Sequence, residues 1–208
     1  MPIVLNSNIA PASPITYEFF QQFIESQAQA TAAVTASAQQ SPSAAGYLGW
    51  TAPVWHATST VSLTSTNISV VAVYVPGGGT TSYLDVNAST VGTVTVADAG
   101  LFTLAGVQLA HALTANLTTN STAWGAGINT WAWTTPAVLA AGIYYVTLET
   151  TSSSAPSLTA APASAVINFN LPVNQYNNAT YSTGTVPASI TPSSLSAAVT
   201  AQPWAGIR

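Results

Sequence analysis

The amino-acid sequence predicts a mainly β protein: a jelly-roll-like antiparallel β-sandwich that follows an N-terminal arm and one α-helix. Short runs rich in β-branched and aromatic residues recur between turn residues, a spacing typical of sandwiches and jelly rolls rather than α/β folds. Residues 128–134 alternate in side-chain size, which places Trp131 and Trp133 on one side of a strand. Residues 142–148, GIYYVTL, have the composition of a strand that packs on both faces. We interpret the two runs as adjacent antiparallel strands.

Charged side chains are scarce. They make up 3% of the 208 residues, against about 25% in ordinary globular proteins, whereas hydrophobic residues make up 48%. Lysine is absent, and Arg208 is the single cation. Nucleic-acid binding and polybasic membrane attachment both need several cations, so the composition excludes both classes. Cysteine is also absent, which excludes disulfides and thiolate metal sites.

The N-terminal sequence and the surface composition bear on where the protein works. Residues 1–13, MPIVLNSNIAPAS, lack the basic and long apolar regions of a secretory signal. No run approaches the roughly 18 apolar residues of a membrane span. We therefore expect the chain to be made in a cytoplasm, yet its Ser/Thr-rich surface is typical of proteins that work outside cells. A virion component, released by lysis without a signal peptide, reconciles the two observations.

Residues 1–13 are interpreted as an anchoring arm. Ile3, Val4 and Leu5 form its apolar part, and polar residues follow. Because the arm has no periodicity of its own, it suits docking on another virion protein of the capsid or tail. A frayed terminus is the alternative.

Residues 14–40 are predicted to form the helix. Ser13 suits the N-cap and Pro14 the first helical position. Apolar residues then recur at spacings of three and four, which is a heptad seam. An isolated helix of this kind leaves several phenylalanines in water, so it either packs on the β-domain or associates with copies of itself. We favour self-association as a homotrimer. The residues expected to hold the subunits together are Tyr17, Phe20, Phe23, Ile24 and Val34.

The rest of the chain divides into three predicted segments: a Ser/Pro/Gly-rich linker at 41–53, the β-sandwich at 54–171, and an extended C-terminal tail at 172–208. Residues 76–79, PGGG, are interpreted as a hairpin tip, and not as a phosphate loop, because no lysine and no helix follow. Strands are expected near 54–57, 60–64, 68–75, 81–86, 92–97, 101–110, 128–134, 143–150 and 165–171.

No catalytic, cofactor or metal site is expected. His56 and His111 are the only imidazoles, and neither has a partner at a known spacing. We place His111 on the opposite strand face from Leu109 and Leu113, which favours a surface or hydrogen-bonded structural role. An unrecognised hydrolase is a remote alternative, since a glycosidase needs two carboxylates close together. The acids of the β region instead fall in different predicted elements: Asp85, Asp98 and Glu149.

The six tryptophans have two interpretations. Exposed indoles can stack on sugar rings, whereas buried ones fill cores and subunit contacts. We favour the core or an interface. Trp124, in the loop STAWGAG, is the candidate for exposure and for contact with a host-surface carbohydrate.

Four segments together resemble a β-sandwich module found in tail-fibre, minor-tail and head-fibre proteins of actinobacteriophages. In that module a strand ends in a Pro-Gly turn, an Ala-Trp pair follows a Thr-rich loop, and a G-x-Y-Y-V strand precedes a Pro-containing loop. The match covers roughly 60–170, about half of the chain, and its motifs are mostly structural. The segments are TSTNISVVAVYVPGG (64–78), LTTNSTAWGAG (117–127), TTPAVLAAGIYYVTLET (134–150) and SAPSLTA (154–160).

The resemblance implies a virion appendage, commonly trimeric, and it supplies no catalytic residues. Because this chain has only a short arm and one helix before the module, with no long fibre shaft, we expect a compact capsid decoration, a head fibre or a short tail appendage. The alternative is a receptor-binding or adhesin module whose sandwich loops, with Trp124, hold host cell-wall glycan.

Overall fold

The computed structural model describes residues 25–27, 41–53, 57–63, 68–90, 94–113, 125–152, 154, 156–162, 177–179, 186–194, 196–197 and 201–208. The chain divides into two compact units, Met1–Gln40 and Ser41–Arg208, and we call the second the β-domain. Within the first unit, residues 25–27 are helical and exposed. The predicted arm and the rest of the predicted helix lie outside the described residues.

The β-domain is mainly β, as the sequence predicts, and its described strand pairs are antiparallel. Two single turns of 3-10 helix, Ser43–Ala45 and Pro192–Ser194, accompany the strands. The strands are β1 (Gly49–Trp50), β2 (Ser59–Ser62), β3 (Ile68–Val75), β4 (Gly79–Thr90), β5 (Val94–Thr103), β6 (Gln108–Ala112), β7 (Gly127–Leu139), β8 (Gly142–Ser152), β9 (Ser157–Pro162), β10 (Asn177–Ala179), β11 (Ser196–Ala197), β12 (Ala201–Pro203) and β13 (Ala205–Ile207).

The strands form one continuous sheet that folds over its own core. Its hydrogen-bonded order is β12-β9-β4-β13-β1-β3-β8-β5-β6, with β7 paired to β4, β2 to β9, β10 to β3 and β11 to β10. Trp131 of β7 donates through Nε1 to the carbonyl oxygen of Ala97 of β5 at 3.0 Å, although the two strands are far apart in this order. Strands β7 and β5 therefore face each other across the core, which makes the domain sandwich-like.

Two indoles from β7 fill the main core. Trp131 and Trp133 are both buried in it, which confirms that they share one side of their strand. Trp133 also donates through Nε1 to the Thr81 hydroxyl at 3.1 Å. The strands opposite present small residues, which leaves room for the two indoles. These small core residues of β5 and β6 are Ala97, Ala99, Ala110 and Ala112.

Two short connections cross between the layers, where the sequence predicts turns within a layer. β7 pairs with β4 and β8 pairs with β3, so the expected pairing of 128–134 with 143–150 is wrong. Residues 76–78 likewise join two unpaired strands, β3 and β4, and are not a hairpin tip. The physical reason is length: a link of this size reaches about 10 Å, the spacing of two packed sheets, as easily as it turns back.

The expected linker, 41–53, is instead part of the sheet. β1 lies between β13 and β3, with Trp50 opposite Gly206 on one side and Tyr74 on the other. A strand of two residues is too short for its alternation to show in the sequence, and the Ser, Pro and Gly around it suggest a loop.

Residues 201–208 correct the prediction of an extended tail. β12 pairs with β9, and β13 is inserted between β4 and β1. Trp204, between the two strands, is buried and donates through Nε1 to the carbonyl oxygen of Ala52 at 3.0 Å. Earlier in the predicted tail, β10 pairs with β3. The predicted strand at 165–171 lies outside the described residues.

A second, smaller apolar cluster covers the outer face of β3, β8 and β5. The segment 186–194 packs over part of it, and the Ile190 amide donates to the carbonyl oxygen of Gly106 at 2.9 Å. Gly106 has a φ of 85°, and any side chain there would collide with the Ile190 carbonyl oxygen. The members of the cluster are Ile68, Val70, Ala72, Phe102, Tyr145 and Ile190.

The side chains of β6 do not face the directions that the sequence analysis expects. Ala110 and Ala112 face the core, whereas Leu109 and Leu113 are exposed and His111 is half-buried. Odd-numbered positions share one face of a strand, so the predicted separation of His111 from the two leucines is wrong. Trp131 lies in the same core cluster as Ala110 and Ala112.

Candidate functional site

The single cation of the chain lies in a cluster formed by Arg208, Asp85, Tyr47 and Thr130, which we call the Asp85 cluster. Arg208 Nε donates to Asp85 Oδ2 at 2.9 Å, and the Tyr47 hydroxyl donates to the same oxygen at 3.0 Å. The Thr130 hydroxyl donates to Asp85 Oδ1 at 2.6 Å. Asp85 is only 3% exposed. Burial of a carboxylate is costly unless it is paired and hydrogen-bonded, and here both of its oxygens are engaged.

The sheet register brings these side chains together. Asp85 of β4 lies opposite Thr130 of β7 on one side and opposite Gly206 of β13 on the other. The ring of Tyr47, which precedes β1, covers Gly206, where an added Cβ would lie 2.7 Å from two ring carbons. The absence of a side chain at Gly206 therefore lets the Tyr47 hydroxyl reach Asp85.

Arg208 is held through both its side chain and its backbone. Its guanidinium lies 4.8 Å from the centroid of the Tyr83 ring, a cation–π contact, and the amides of Ser82 and Tyr83 donate to its carbonyl oxygen at 2.7 and 2.8 Å. The hydrogen bond to Asp85 raises the pKa of the Arg208 guanidinium above its ordinary value. The Arg208 side chain is 41% exposed, so a fixed positive charge reaches the surface at this point.

Aromatic rings support the cluster from beneath. Tyr47 meets Trp204 edge to face with ring centroids 5.5 Å apart, and Trp50 lies 6.4 Å from Tyr47. The four described indoles are buried, which assigns them to packing rather than to sugar stacking. They are Trp50, Trp131, Trp133 and Trp204.

Two further carboxylates face each other across β5 and β8. Asp98 and Glu149 are directly opposite in register and are 5% and 1% exposed. The structure therefore brings together two acids that the sequence analysis assigns to separate elements. Like charges at such positions repel, and the only Lys or Arg of the chain is engaged with Asp85. Both groups are too buried for a substrate to contact them in this arrangement, and no cluster of three or more metal-ligating residues occurs among the described residues.

His111 lines a shallow groove of about 290 Å³ on the outer face of the sheet. Leu113, Val186 and Ala188 supply its apolar walls, and Gln108 donates to the carbonyl oxygen of Pro187 at 3.0 Å. The groove is therefore mostly apolar, with the half-buried His111 at its wall, and the structural role predicted for this histidine stays a prediction.

The residues predicted to carry function lie outside the described part of the chain, and their roles stay predictions. They comprise the anchoring set Ile3, Val4 and Leu5, the oligomerisation set Tyr17, Phe20, Phe23, Ile24 and Val34, and the glycan candidate Trp124.

Sequence reasoning missed the Asp85 cluster, although one signal pointed to it. A single cation in a chain with five acids is expected to pair with one of them. Nothing in the sequence selects Asp85 over Asp98 or Glu149, because the choice depends on β13 lying next to β4. The contributions of Tyr47 and Thr130 leave no sequence signal.

No family model, curated protein or solved structure matches the chain. Within the described residues, the structure contains no helix long and apolar enough to span a membrane.

Removal of the cation should destabilise the domain. Arg208→Ala leaves the buried Asp85 carboxylate with two donors, and we expect the free energy of unfolding to fall by about 2 kcal/mol. Arg208→Lys keeps the charge but loses the planar contact with Tyr83, so its loss should be smaller. Urea unfolding of both variants measures these values. A change below about 0.5 kcal/mol for Arg208→Ala, the usual size for an isolated surface substitution, would contradict this assignment.

The Asp85 cluster also predicts alkaline sensitivity. Burial, followed by the charge and hydrogen bond of Asp85, raises the pKa of Tyr47 from 10.0 to about 12. The folded state therefore keeps a proton that the unfolded state releases above pH 10.0, and the stability from Tyr47 is full below that pH and lost as the pH rises through about 12.

Tyr47→Phe should lose less stability between pH 10 and 12 than the parent protein, although it should be less stable at pH 8 for want of the hydrogen bond to Asp85. Tyr74→Phe, at the exposed position of β3, is the control. Denaturant unfolding across the pH range measures the effect. Parallel curves for the parent and Tyr47→Phe would show that Tyr47 has no part in the alkaline transition.

Proposed function

We propose that this chain is a structural protein of a bacteriophage virion: a capsid decoration, a head fibre or a short tail appendage. In this proposal the β-domain is displayed and residues 1–40 assemble and anchor it. Ile3, Val4 and Leu5 dock on the capsid or tail. The helix, through Phe20 and Ile24, joins copies of the chain into a homotrimer.

The observation that carries the proposal is that the β-domain completes its own sheet. Segments from both of its ends, 47–51 and 205–208, lie side by side at the middle of the strand order. Its two described apolar clusters are likewise built from residues of Ser41–Arg208. Met1–Gln40 is a separate compact unit. Such a division suits a display protein, in which one segment assembles and another folds by itself.

The distribution of charge supports repeated packing of identical copies. The β-domain contains three acids and one arginine, and the acids are buried. Arg208 is thus its only exposed charged side chain. Copies of a surface without like charges can be brought close together at little electrostatic cost.

The resemblance of segments 64–78 and 134–150 to actinobacteriophage appendage modules supports the virion setting. These segments include β3 and β8, which pair with each other over seven residues and supply much of the core. The resemblance therefore falls on the part of the chain that forms the domain, which supports a shared architecture and a displayed role.

The mass of the full chain, measured in solution beside a chain that begins at Ser41, tests the proposal. We expect the full chain to be a trimer and the shortened chain a monomer. In the full chain, Phe20→Ser combined with Ile24→Ser should give monomers, because the apolar seam loses two of its large residues. Glu25→Gln, at an exposed helical position next to Ile24 in the sequence, is the matched control and should leave the mass unchanged.

Two results would overturn the proposal. A full chain that is already monomeric removes the assembly role of residues 1–40. A Phe20→Ser/Ile24→Ser variant with the mass of the parent oligomer shows that the contacts lie elsewhere.

A further inference from the structure

The outer face of β5 and β8 carries two buried acids. Ala97 and Ala99 of β5 lie in the main core, so Asp98 between them points to the opposite side of the sheet. Leu148 of β8 also lies in the main core, which places Glu149 on the same outer face. Asp98 and Glu149 are directly opposite in register, and they are 5% and 1% exposed. Both carboxyl groups are therefore enclosed, although they lie outside the main core.

The register brings the two carboxyl groups within reach of each other. Opposite residues of an antiparallel pair have Cβ atoms about 4.5–5.5 Å apart, and like charges at such positions destabilise the pairing. Burial increases this cost, because a carboxylate loses its hydration and charges repel more strongly at a low dielectric constant. Two buried carboxyl groups at this spacing therefore do not both ionise at neutral pH unless a positive charge lies beside them.

The chain has very little positive charge to supply. It contains no lysine and one arginine, and Arg208 is bound to Asp85. The other basic side chains are His56 and His111. His56 lies outside the described residues, whereas His111 lies on the adjoining β6, one row of outer-face side chains away from Asp98. An imidazole is thus the only basic side chain left to neutralise the pair.

The other described elements against this face bring no charge. The outer-face residues of β3 are apolar, and β10, which adjoins β3, has the sequence NNA. The segment 186–194, VPASITPSS, packs over part of the face and contains no titratable side chain. On β8 the next titratable side chain of this face is Tyr145, and burial raises the pKa of its hydroxyl, so it is neutral.

We propose that Asp98 and Glu149 share one proton around neutral pH, so that the pair carries one negative charge instead of two. Two acids at one site titrate as a unit, and the protonated carboxyl group can donate to the carboxylate opposite. A metal ion could also neutralise such a pair, but a hard cation takes about six or more oxygen ligands. Among the described residues no group of three or more metal-ligating side chains occurs. A proton needs only the two groups that are present.

The shared proton links the stability of the β-domain to pH. In an unfolded chain, separated Asp and Glu side chains lose their protons near about pH 4. From about pH 5 upward the folded chain therefore holds one proton that the unfolded chain has released. Stability is largest at the acid end of this range. The folding equilibrium constant should fall about tenfold for each pH unit until the folded pair releases its proton.

Urea unfolding of the full chain from about pH 5 to about pH 8, at a fixed protein concentration, tests the inference. The parent protein should show the tenfold loss per pH unit. Glu149→Gln has nearly the same shape without the charge, so its stability should not depend on pH in this range and should exceed that of the parent at pH 8. Asp98→Asn should behave in the same way, and it replaces Glu149→Gln if that variant does not fold. Glu25→Gln, an exposed acid of Met1–Gln40, is the matched control and should keep the pH dependence of the parent.

Infrared spectroscopy provides a second measurement, which a purely structural role of the two residues would not change. The carbonyl band of a protonated carboxyl group is separate from the bands of carboxylates and amides. The folded parent should show this band at pH 7. Glu149→Gln and Asp98→Asn should each lack it, because the remaining acid then ionises without a like charge beside it.

Three results would overturn the inference. A parent protein whose stability is constant or rises from about pH 5 to about pH 8 holds no shared proton. A pH dependence that persists in Glu149→Gln and Asp98→Asn but disappears in His56→Gln or His111→Gln assigns the proton to an imidazole. A stability that rises with added Ca²⁺ and does not change with pH would mean that a metal ion neutralises the pair.

Discussion

The insertion of β13 between β4 and β1 is the constraint on which the rest of the β-domain depends. The register places Gly206 beside Asp85, so that a buried carboxylate receives donors from three distant segments, through Tyr47, Thr130 and Arg208. A carboxylate left in this position without its donors would forfeit much of the stability of a typical domain. The middle of the sheet therefore forms as a unit, with both ends of the domain in place.

Once β13 has closed the sheet in this way, side chains from β7 fill the core. Trp131 reaches across to β5, Trp133 donates to Thr81 of the neighbouring β4, and small residues on the facing strands make room for the two rings. The same pairing of large with small side chains places the alanines of β6 in the core and leaves Leu109 and Leu113 on the outer face. The packing of the core thus gives a domain that is complete by itself and that exposes Leu109 and Leu113 on its outer face.

Periodicity predicts the long strands and cannot predict their partners. The run 68–75 is both predicted and observed, because eight residues of β-branched and aromatic character leave little choice. The links 76–78 and 140–141 are equally compatible with a hairpin and with a crossing between layers, and only the shape of the whole core decides. β1, β12 and β13 are too short to show a period. For the Asp85 cluster, the presence of a single cation in the chain predicts an ion pair. The acid that pairs with this cation depends on the sheet order, which local sequence does not encode.

The most direct test of the central claim is native-state amide hydrogen exchange of the β-domain. The amides of Leu48, Thr51 and Arg208 donate to Ile207, Ala205 and Tyr83, and they report on both sides of β13. If β13 closes the domain, these amides should exchange with the same opening free energy as those of the β3–β8 pairing, in one global event. Exchange at a clearly lower free energy, with the β3–β8 amides still protected, would mean that β13 leaves the sheet by itself and would contradict the account.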